Sequence, residues 1–332
     1  MKQQIIVIVG PNASGKTSLS IKIAKKINGE IISADSRQVY KGLDIGSGKV
    51  TKMEMHGIQH HCLSIANPKK IFSALDFKNR AERAIVDILS RGKTPIIVGG
   101  TGFYIDAALG RMKLGGVPTN PKLRKKLSHY SLAKLNATLA KLDPERARTV
   151  EQKNPVRLIR AIEIIKAKKA DKNSAKGERF SERVRASEPP QRGLSASETE
   201  SARLEFLSDS RIQWIGIKRP PEELKKRIHK RLTMRLPGII REVKKLHNPP
   251  TGGGLSWKRL FELGLEYRYA SLYLRGKISK FQLTDQLNSQ IWHYAKRQMT
   301  WFKKNKEIRW ISSTKMWYRT CTDIGHMRRL SR

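Results

Sequence analysis

The chain has little cysteine and no long apolar run. Two cysteines among 332 residues are too few for a disulfide framework or a cysteine-ligated metal cluster, which favours a reducing, cytoplasmic location. No apolar run approaches the ~20 residues needed to cross a bilayer. A strand pattern begins almost at the first residue and leaves no room for a signal peptide. We therefore expect no membrane partner.

Acidic residues are also scarce, and this scarcity is the strongest global signal. Lys and Arg number 68 and Asp and Glu number 28, which gives a formal net charge of +40. A small soluble domain needs a net charge of only roughly 2–8 in magnitude. Clustered Lys and Arg release counterions from phosphates, so nucleic acid is the partner that this charge favours. A basic bias of the whole organism and an anionic membrane surface are the alternatives left open.

Alternating strand and helix patterns predict an α/β protein. Apolar runs at 4–10, 30–35 and 94–102 indicate buried parallel strands, and amphipathic helical stretches lie between them. Later runs at 213–218 and 307–312 predict two more strands. Right-handed crossovers would place all five in one parallel sheet.

Residues 121–170, between the third and fourth strands, follow a helical pattern instead. One predicted apolar face holds Leu135, Leu139 and Leu142, and a second holds Val156, Ile159, Ile162 and Ile165. Residues 170–203 are polar and almost free of large apolar side chains, which predicts a linker or loop. The predicted organisation is a first part of the core at 1–118, a helical insertion at 119–206 that includes this linker, a second part of the core with basic helices at 207–316, and a tail at 317–332.

Residues 10–17, GPNASGKT, form a Walker A phosphate-binding motif between a predicted strand and a predicted helix. Its glycines let backbone N–H groups point at phosphate oxygens, and the following helix adds its positive end. Lys16 would bridge the terminal phosphates, and Thr17 would reach a Mg²⁺ ion. The motif leaves the phosphate compound open, ATP included. The phosphate-binding residues predicted here are Gly10, Pro11, Asn12, Ala13, Ser14, Gly15, Lys16 and Thr17.

Asp35 and Thr101 are the candidate catalytic residues. Asp35 ends the second predicted strand and Thr101 follows the third. Parallel strands end at one edge of their sheet, so an acid, a hydroxyl and the phosphate loop should meet in one crevice. A turn or helix-cap role is the alternative for both residues.

Six stretches resemble, in order, the tRNA dimethylallyltransferases, also called tRNA isopentenyltransferases. They are GPNASGKT, EIISADSRQVYKGLDIGSGK, HH at 60–61, PIIVGGTGFYI, NPVRLIRAIEII and YAKRQMTWFKK, and the resemblance covers roughly 4–170 and 213–312. It implies a P-loop NTPase-like sheet with a helical insertion that grips the tRNA anticodon stem-loop. It also implies a Mg²⁺-assisted, monomeric enzyme that moves a prenyl group from dimethylallyl diphosphate to N6 of the adenosine just 3′ of the anticodon.

The same resemblance implies roles for individual residues. Asp35 would be the general base, and Arg219 would replace the family's diphosphate-binding arginine, whose position holds Pro221 here. The family's usual Gly-Tyr pair reads Glu266-Tyr267. The implied tRNA contacts are Asp35, Ser36, Arg37, Gln38, Thr101, Leu123, Val156, Arg157, Leu158, Ile159, Arg160, Tyr267, Arg268, Lys296, Arg297 and Gln298.

Three other functions fit the sequence less well. An adenylate isopentenyltransferase uses the same donor but a free nucleotide, which needs neither a helical insertion nor a charge of +40. A small-molecule kinase would need a lid and an acceptor site that the sequence does not indicate. A non-catalytic RNA-binding protein would not need Asp35 and Thr101 beside a phosphate loop. His60 and His61 have no further ligand at metal-binding spacing, which favours a structural role.

Overall fold

The computed structural model describes residues 3–112, 114, 117, 119–173, 210–250 and 252–312. The chain divides into two compact units. We call Met1–Met112 with Ser201–Arg332 the core unit, and Lys113–Glu200 the insertion unit. Most of the predicted linker and all of the predicted tail lie outside the described residues. Across the described ranges, no helix has both the length and the apolar character that crossing a membrane requires.

The described part of the core unit is built on one parallel sheet. Its strands are β1 (Gln4–Val9), β2 (Gly29–Ala34), β3 (His60–His61), β4 (Thr94–Gly99), β5 (Arg211–Ile217) and β6 (Arg309–Ile311). They lie in the order β3-β2-β4-β1-β5-β6, and every neighbouring pair is parallel. The predicted α/β class and parallel sheet are therefore confirmed. Of the six strands, only β3 was not predicted from the sequence, because a two-residue segment is too short to show an alternating pattern.

The helices fall into three groups along the chain. Before the insertion come α1 (Lys16–Ile27), α2 (Lys52–Met55), α3 (Ala74–Ser90) and α4 (Gly102–Ala108). The insertion unit contains α5 (Pro121–Ser128), α6 (Leu132–Leu142), α7 (Pro144–Thr149) and α8 (Pro155–Asn173). The core unit resumes with α9 (Pro221–His247), α10 (Trp257–Glu262), α11 (Leu265–Leu274) and α12 (Lys280–Phe302).

The sheet is covered on both faces, which explains why its strands read as unbroken apolar runs. Side chains alternate along β1, so Ile5, Val7 and Val9 join one apolar cluster with residues of α3, α9 and α12. Ile6 and Ile8 point the other way and join a second cluster with α1. Burial on both faces leaves only the strand ends open, and a polar site must therefore form there.

The insertion unit has its own small apolar core, made of Leu127, Leu135, Leu139, Leu158, Ala161 and Ile162. The predicted burial of Leu135, Leu139 and Ile162 is confirmed. The placement of Val156 on the inner face is wrong, since this side chain is 72% exposed. At about 100° per residue, Val156 is about 200° around α8 from the buried Leu158.

A buried carboxylate holds the outer edge of the sheet together. Glu30 is 3% exposed and accepts hydrogen bonds from Arg91 at 2.5 and 2.8 Å and from Lys93 at 2.7 Å. His61 Nε2 lies 2.8 Å from the same carboxylate. Hydrogen bonds from Arg91 hold the pKa of Glu30 well below its usual range, against the effect of burial. One acid therefore joins β2, β3 and the turn between α3 and β4.

We expect Glu30→Gln to destabilise the core unit by about 1–3 kcal/mol at neutral pH, because charge-assisted hydrogen bonds are lost. A depressed carboxyl pKa stabilises the fold above about pH 4.3 and loses that effect as pH falls below it, so the difference between variant and wild type should shrink in acid. All six tryptophans lie outside the insertion unit, so urea unfolding followed by tryptophan fluorescence reports on the core.

The control is Glu222→Gln, which changes an exposed partner of Lys225. Equal stability of Glu30→Gln and wild type at pH 7 would contradict this role.

Candidate active site

The phosphate loop leaves β1 through a close backbone contact that only glycine permits. A Cβ on Gly10, whose φ is +149°, would lie 2.8 Å from the carbonyl oxygen of Ile217 in β5. Gly15 precedes α1 with a φ of +101°. These two glycines turn the chain so that the start of α1, with its unpaired N–H groups, closes the loop.

Cationic side chains bind several carbonyl oxygens of the loop. Lys16 Nζ donates to the carbonyls of Gly10 and Pro11 at 2.9 and 2.8 Å. Arg219 Nε donates to Ser14 O at 3.2 Å, and Arg227 Nε donates to Ala13 O at 2.9 Å. These hydrogen bonds hold the loop backbone in one conformation, in which the N–H groups of Asn12 and Ser14 are bonded to Gln298 Oε1 and Pro11 O.

Gln298 of α12 connects this loop to the end of β4. Its Oε1 accepts the N–H of Asn12 at 2.8 Å, and its Nε2 donates to Gly100 O at 3.0 Å and to Asn12 Oδ1 at 3.3 Å. Gln298 is 4% exposed. The sequence predicted it as a tRNA contact, but its buried side chain is instead occupied in holding the loop.

Asp35 lies at the carboxyl end of β2, facing the same cavity as the loop. Its Oδ1 accepts the N–H groups of Arg37 and Gln38 at 2.8 and 3.3 Å. The turn role left open by the sequence is therefore present. Its second oxygen, Oδ2, makes no hydrogen bond or ion pair to the part of the chain that the structure describes, and one oxygen thus builds the turn while the other is available to a ligand.

The Thr101 side chain is tied to the Asp35 turn and not to its own helix. It precedes α4 but makes no side-chain cap hydrogen bond. Instead its Oγ1 accepts the N–H of Ser36 at 3.2 Å. Tyr294 of α12 is hydrogen-bonded to Thr101, and burial raises the pKa of this tyrosine. Thr101 therefore occupies the N-cap position of α4 without capping it through its side chain, and Thr101 and Asp35 meet in one place.

The cavity that these groups enclose has a volume of about 790 Å³ and lies entirely within the core unit. The phosphate loop and the ends of β2 and β4 form one side. The other side is formed by α9, α11 and α12, through Arg227, Lys230, Arg231, Met234, Glu266, Arg268, Gln290, Tyr294 and Arg297. Sequence reasoning missed most of these helical residues. The one available signal was the spacing of Arg227, Lys230 and Arg231 along a helix that begins just after a strand end.

Several predicted RNA contacts do line this cavity, namely Ser36, Arg37, Gln38, Arg268 and Arg297. Lys296 is exposed above the ring of Trp292. Tyr267 is 1% exposed, and its hydroxyl donates to Glu242 at 2.9 Å. Burial of this kind makes Tyr267 a support for the cavity wall, and its contact with RNA stays a prediction.

In the insertion unit the predicted contacts differ in exposure. Leu158 is fully buried, and Leu123 and Ile159 pack against the same core. Arg160 donates to Val117 O and to Glu163. The Arg157 side chain is 62% exposed and pairs with Glu151 at 3.0 Å. Of the predicted cations here, Arg157 is the more accessible to a partner.

The residues around the loop fit a bound diphosphate with a divalent cation. Ser14 Oγ is buried without a hydrogen-bond partner among the described residues. Thr17 is an exposed residue in the first turn of α1 and lines the cavity. The described residues contain no cluster of three His, Cys, Asp or Glu side chains that could hold a metal. A cation here would therefore take most of its ligands from phosphate oxygens and water, as Mg²⁺ commonly does.

Comparison with known proteins gives a consistent result. The family model described as IPP transferase matches residues 38–305. A tRNA dimethylallyltransferase of Treponema denticola is 38% identical, with 93% of this chain and 96% of the relative covered. The solved structure of a tRNA delta(2)-isopentenylpyrophosphate transferase from Staphylococcus epidermidis is 35% identical, with a TM-score of 0.64 and 98% and 100% of the two chains covered. A eukaryotic dimethylallyltransferase, captured acting on tRNA, is 26% identical, with a TM-score of 0.68 and 95% and 75% covered.

We expect Gln298→Ala to weaken binding of inorganic diphosphate by about tenfold or more, because Asn12 and Gly100 lose their hydrogen bonds and the loop loses its anchor. Isothermal titration calorimetry would measure the dissociation constant. Gln286→Ala, on the same helix and outside the cavity lining, is the matched control. If Gln298→Ala binds diphosphate as tightly as wild type, the loop does not depend on this side chain.

Proposed function

The chain belongs to the IPP transferase family, and we propose from this premise that it transfers a dimethylallyl group from dimethylallyl diphosphate to N6 of the adenosine just 3′ of the tRNA anticodon. Diphosphate is the second product. The observation that carries the proposal is one cavity of about 790 Å³ lined by a phosphate loop, a carboxylate and several cations. A cytoplasmic location and a monomeric state stay predictions from the sequence.

The phosphate loop would bind the donor through its diphosphate. The positive end of α1 favours an anion. Lys16, now bonded to Gly10 O and Pro11 O, would turn to the phosphate oxygens. Mg²⁺ bound at Thr17 would neutralise further negative charge. The five-carbon prenyl group is then the part that is transferred, and the loop binds the diphosphate leaving group.

The reaction replaces one bond with another and moves one proton. The allylic C1–O bond breaks, and its electron pair stays on diphosphate. The N6 lone pair of adenine forms the new C1–N bond, and N6 loses a proton. Asp35 Oδ2 is the proposed acceptor, because Oδ1 already accepts the N–H groups of Arg37 and Gln38. The adenine must leave its stack to enter the cavity, as substrates of base-modifying enzymes generally do.

The choice of tRNA over a free nucleotide rests on charge and on the insertion unit. A net charge of +40 suits a polyanion. Arg37, Arg268 and Arg297 line the cavity in the core unit. Arg157 offers an exposed guanidinium in the insertion unit. A free adenylate would not need Arg157 or any other cation of the insertion unit.

The direct test is to incubate the protein with labelled dimethylallyl diphosphate, Mg²⁺ and bulk tRNA, to digest the RNA and to identify N6-prenyladenosine. Parallel reactions contain AMP in place of tRNA, or ATP in place of the donor. Label in tRNA alone is the expected result. Label in AMP but not in tRNA would make the protein an adenylate isopentenyltransferase.

Asp35→Asn keeps the turn, since an amide oxygen can still accept the N–H groups of Arg37 and Gln38, but it cannot take a proton. We expect near-normal donor binding and a transfer rate lower by roughly 10²–10⁴-fold, the range for a lost general base. Single turnover of the preformed ternary complex measures it. Asp44→Asn, an exposed carboxylate paired with Lys49, is the control. Transfer by Asp35→Asn at the wild-type rate would leave Asp35 with the turn role alone.

Binding of tRNA should weaken steeply with salt, because each neutralised phosphate releases counterions. We expect Arg157→Gln to weaken tRNA binding several-fold and to reduce the slope of log affinity against log salt by about 1. Filter binding at several salt concentrations measures both quantities. Arg148→Gln, an exposed arginine of α7 outside the predicted contacts, is the control. Equal slopes for Arg157→Gln and wild type would exclude Arg157 from the RNA interface.

A further inference from the structure

Three consecutive backbone N–H groups converge on one carboxylate of α9. The N–H groups of Asp44, Ile45 and Gly46 donate to Glu242 at 2.9, 2.6 and 2.9 Å. Successive N–H groups of a turn form a small concavity that binds an anion. Here a side chain from a distant helix occupies that concavity, and hydrogen bonds to a charged acceptor are stronger than neutral ones. Glu242 therefore fixes residues 44–48, which we call the 44–48 loop, to α9.

Tyr267 of α11 makes a second attachment of the 44–48 loop. Its hydroxyl donates to Glu242 Oε1 at 2.9 Å and accepts the N–H of Ser47 at 3.1 Å. The tyrosine ring lies against Gly46, where a Cβ would be only 2.6 Å from the ring. Because the ring is buried, it cannot move aside. The position of the loop is therefore set by α9 and α11.

The 44–48 loop contributes Ser47 and Gly48 to the cavity lining and contacts a third lining residue, Gln38. Gly48 O accepts a hydrogen bond from Gln38 Nε2 at 3.4 Å, and Gln38 Oε1 accepts the hydroxyl of Ser33 at 3.1 Å. The backbone N–H of Gln38 donates to Asp35 Oδ1 at 3.3 Å. The carboxamide is thus held at both ends. In one fixed orientation, a carboxamide can pair with the donor and acceptor edge of an adenine.

The phosphate loop does not share these contacts. Within the described part of the chain, no hydrogen bond joins residues 10–17 to residues 38–48. The phosphate loop is instead attached through Gln298 and the cations that bind its carbonyls. Two sides of one cavity are therefore supported by separate contacts, and a change at Glu242 should leave diphosphate binding intact.

We propose that Glu242 is a positioning residue for the acceptor base, which sets the orientation of the Gln38 carboxamide through the 44–48 loop. The proposal rests on the proposed function and adds a residue to its acceptor site. Glu242 itself does not line the cavity. Its contribution is to keep N6 of the adenine in line with the donor carbon, because a small misplacement of reacting atoms lowers the rate of transfer steeply.

The test compares Glu242→Gln with wild type in two assays. In this variant an NH₂ group replaces one acceptor oxygen, so the loop loses part of its attachment. We expect the single-turnover rate of tRNA prenylation to fall by about tenfold or more. The dissociation constant of inorganic diphosphate, measured by calorimetry, should stay close to that of wild type. Glu222→Gln, the same change in the first turn of α9, is the control and should match wild type in both assays.

Two outcomes would overturn the proposal. One is transfer by Glu242→Gln at the wild-type rate. The other is a dissociation constant for diphosphate that rises as much as transfer falls, since Glu242 would then support the whole cavity. The route through Gln38 is tested by a double-mutant cycle, in which Glu242→Gln should cost little further activity in the Gln38→Ala background. An equal loss in both backgrounds would exclude that route.

Amide hydrogen exchange tests the attachment without any substrate. The N–H groups of residues 44–46 should exchange faster in Glu242→Gln, and to a smaller extent in the milder variant Tyr267→Phe, while β1 keeps its wild-type protection. Unchanged exchange at residues 44–46 in both variants would overturn the role of Glu242. Failure of the proposed function looks different, since wild type would then show the protected N–H groups but would not prenylate tRNA.

Discussion

The phosphate loop keeps its conformation because cationic side chains bind its carbonyl oxygens and an amide side chain fixes it to the sheet. Lys16, Arg219 and Arg227 each take one or two of these oxygens. Gln298 fixes the loop to the end of β4 through Asn12 and Gly100. The donors come from the loop itself, from the segment after β5, and from α9 and α12. The loop therefore depends on the complete core unit, although its own sequence is only eight residues long.

The same structure shows why a strongly basic protein keeps certain acids. Glu30 joins β2 to Arg91, Lys93 and His61. Glu242 accepts the N–H groups of residues 44, 45 and 46, together with the hydroxyl of Tyr267. A buried carboxylate is stable when several donors surround it, and a chain rich in Lys and Arg supplies such donors. These acids anchor the fold, whereas Asp35 and Glu266 line the cavity.

The positions that could be predicted best were those set by local rules. The loop was identified by its spacing, and Asp35 and Thr101 were placed at the sheet edge because parallel strands end there. The structure places both residues at that edge, joined through Ser36; their catalytic roles stay predictions. The predicted RNA contacts on the helices stay predictions. Leu158, Tyr267 and Gln298 were expected to contact RNA through the family resemblance, yet all three are buried.

The sequence by itself determined the order of strands and helices, the phosphate loop and the excess of positive charge. These features depend on residue type and on spacing over a few positions. Only the tertiary structure decided which faces of α9, α11 and α12 meet the loop, and hence that Arg231, Glu266 and Tyr294 share its cavity. A helical period shows which residues lie on one face, but not what that face will contact. That choice is made when the helices pack on the sheet, and it joins residues that lie about 200 to 280 positions apart.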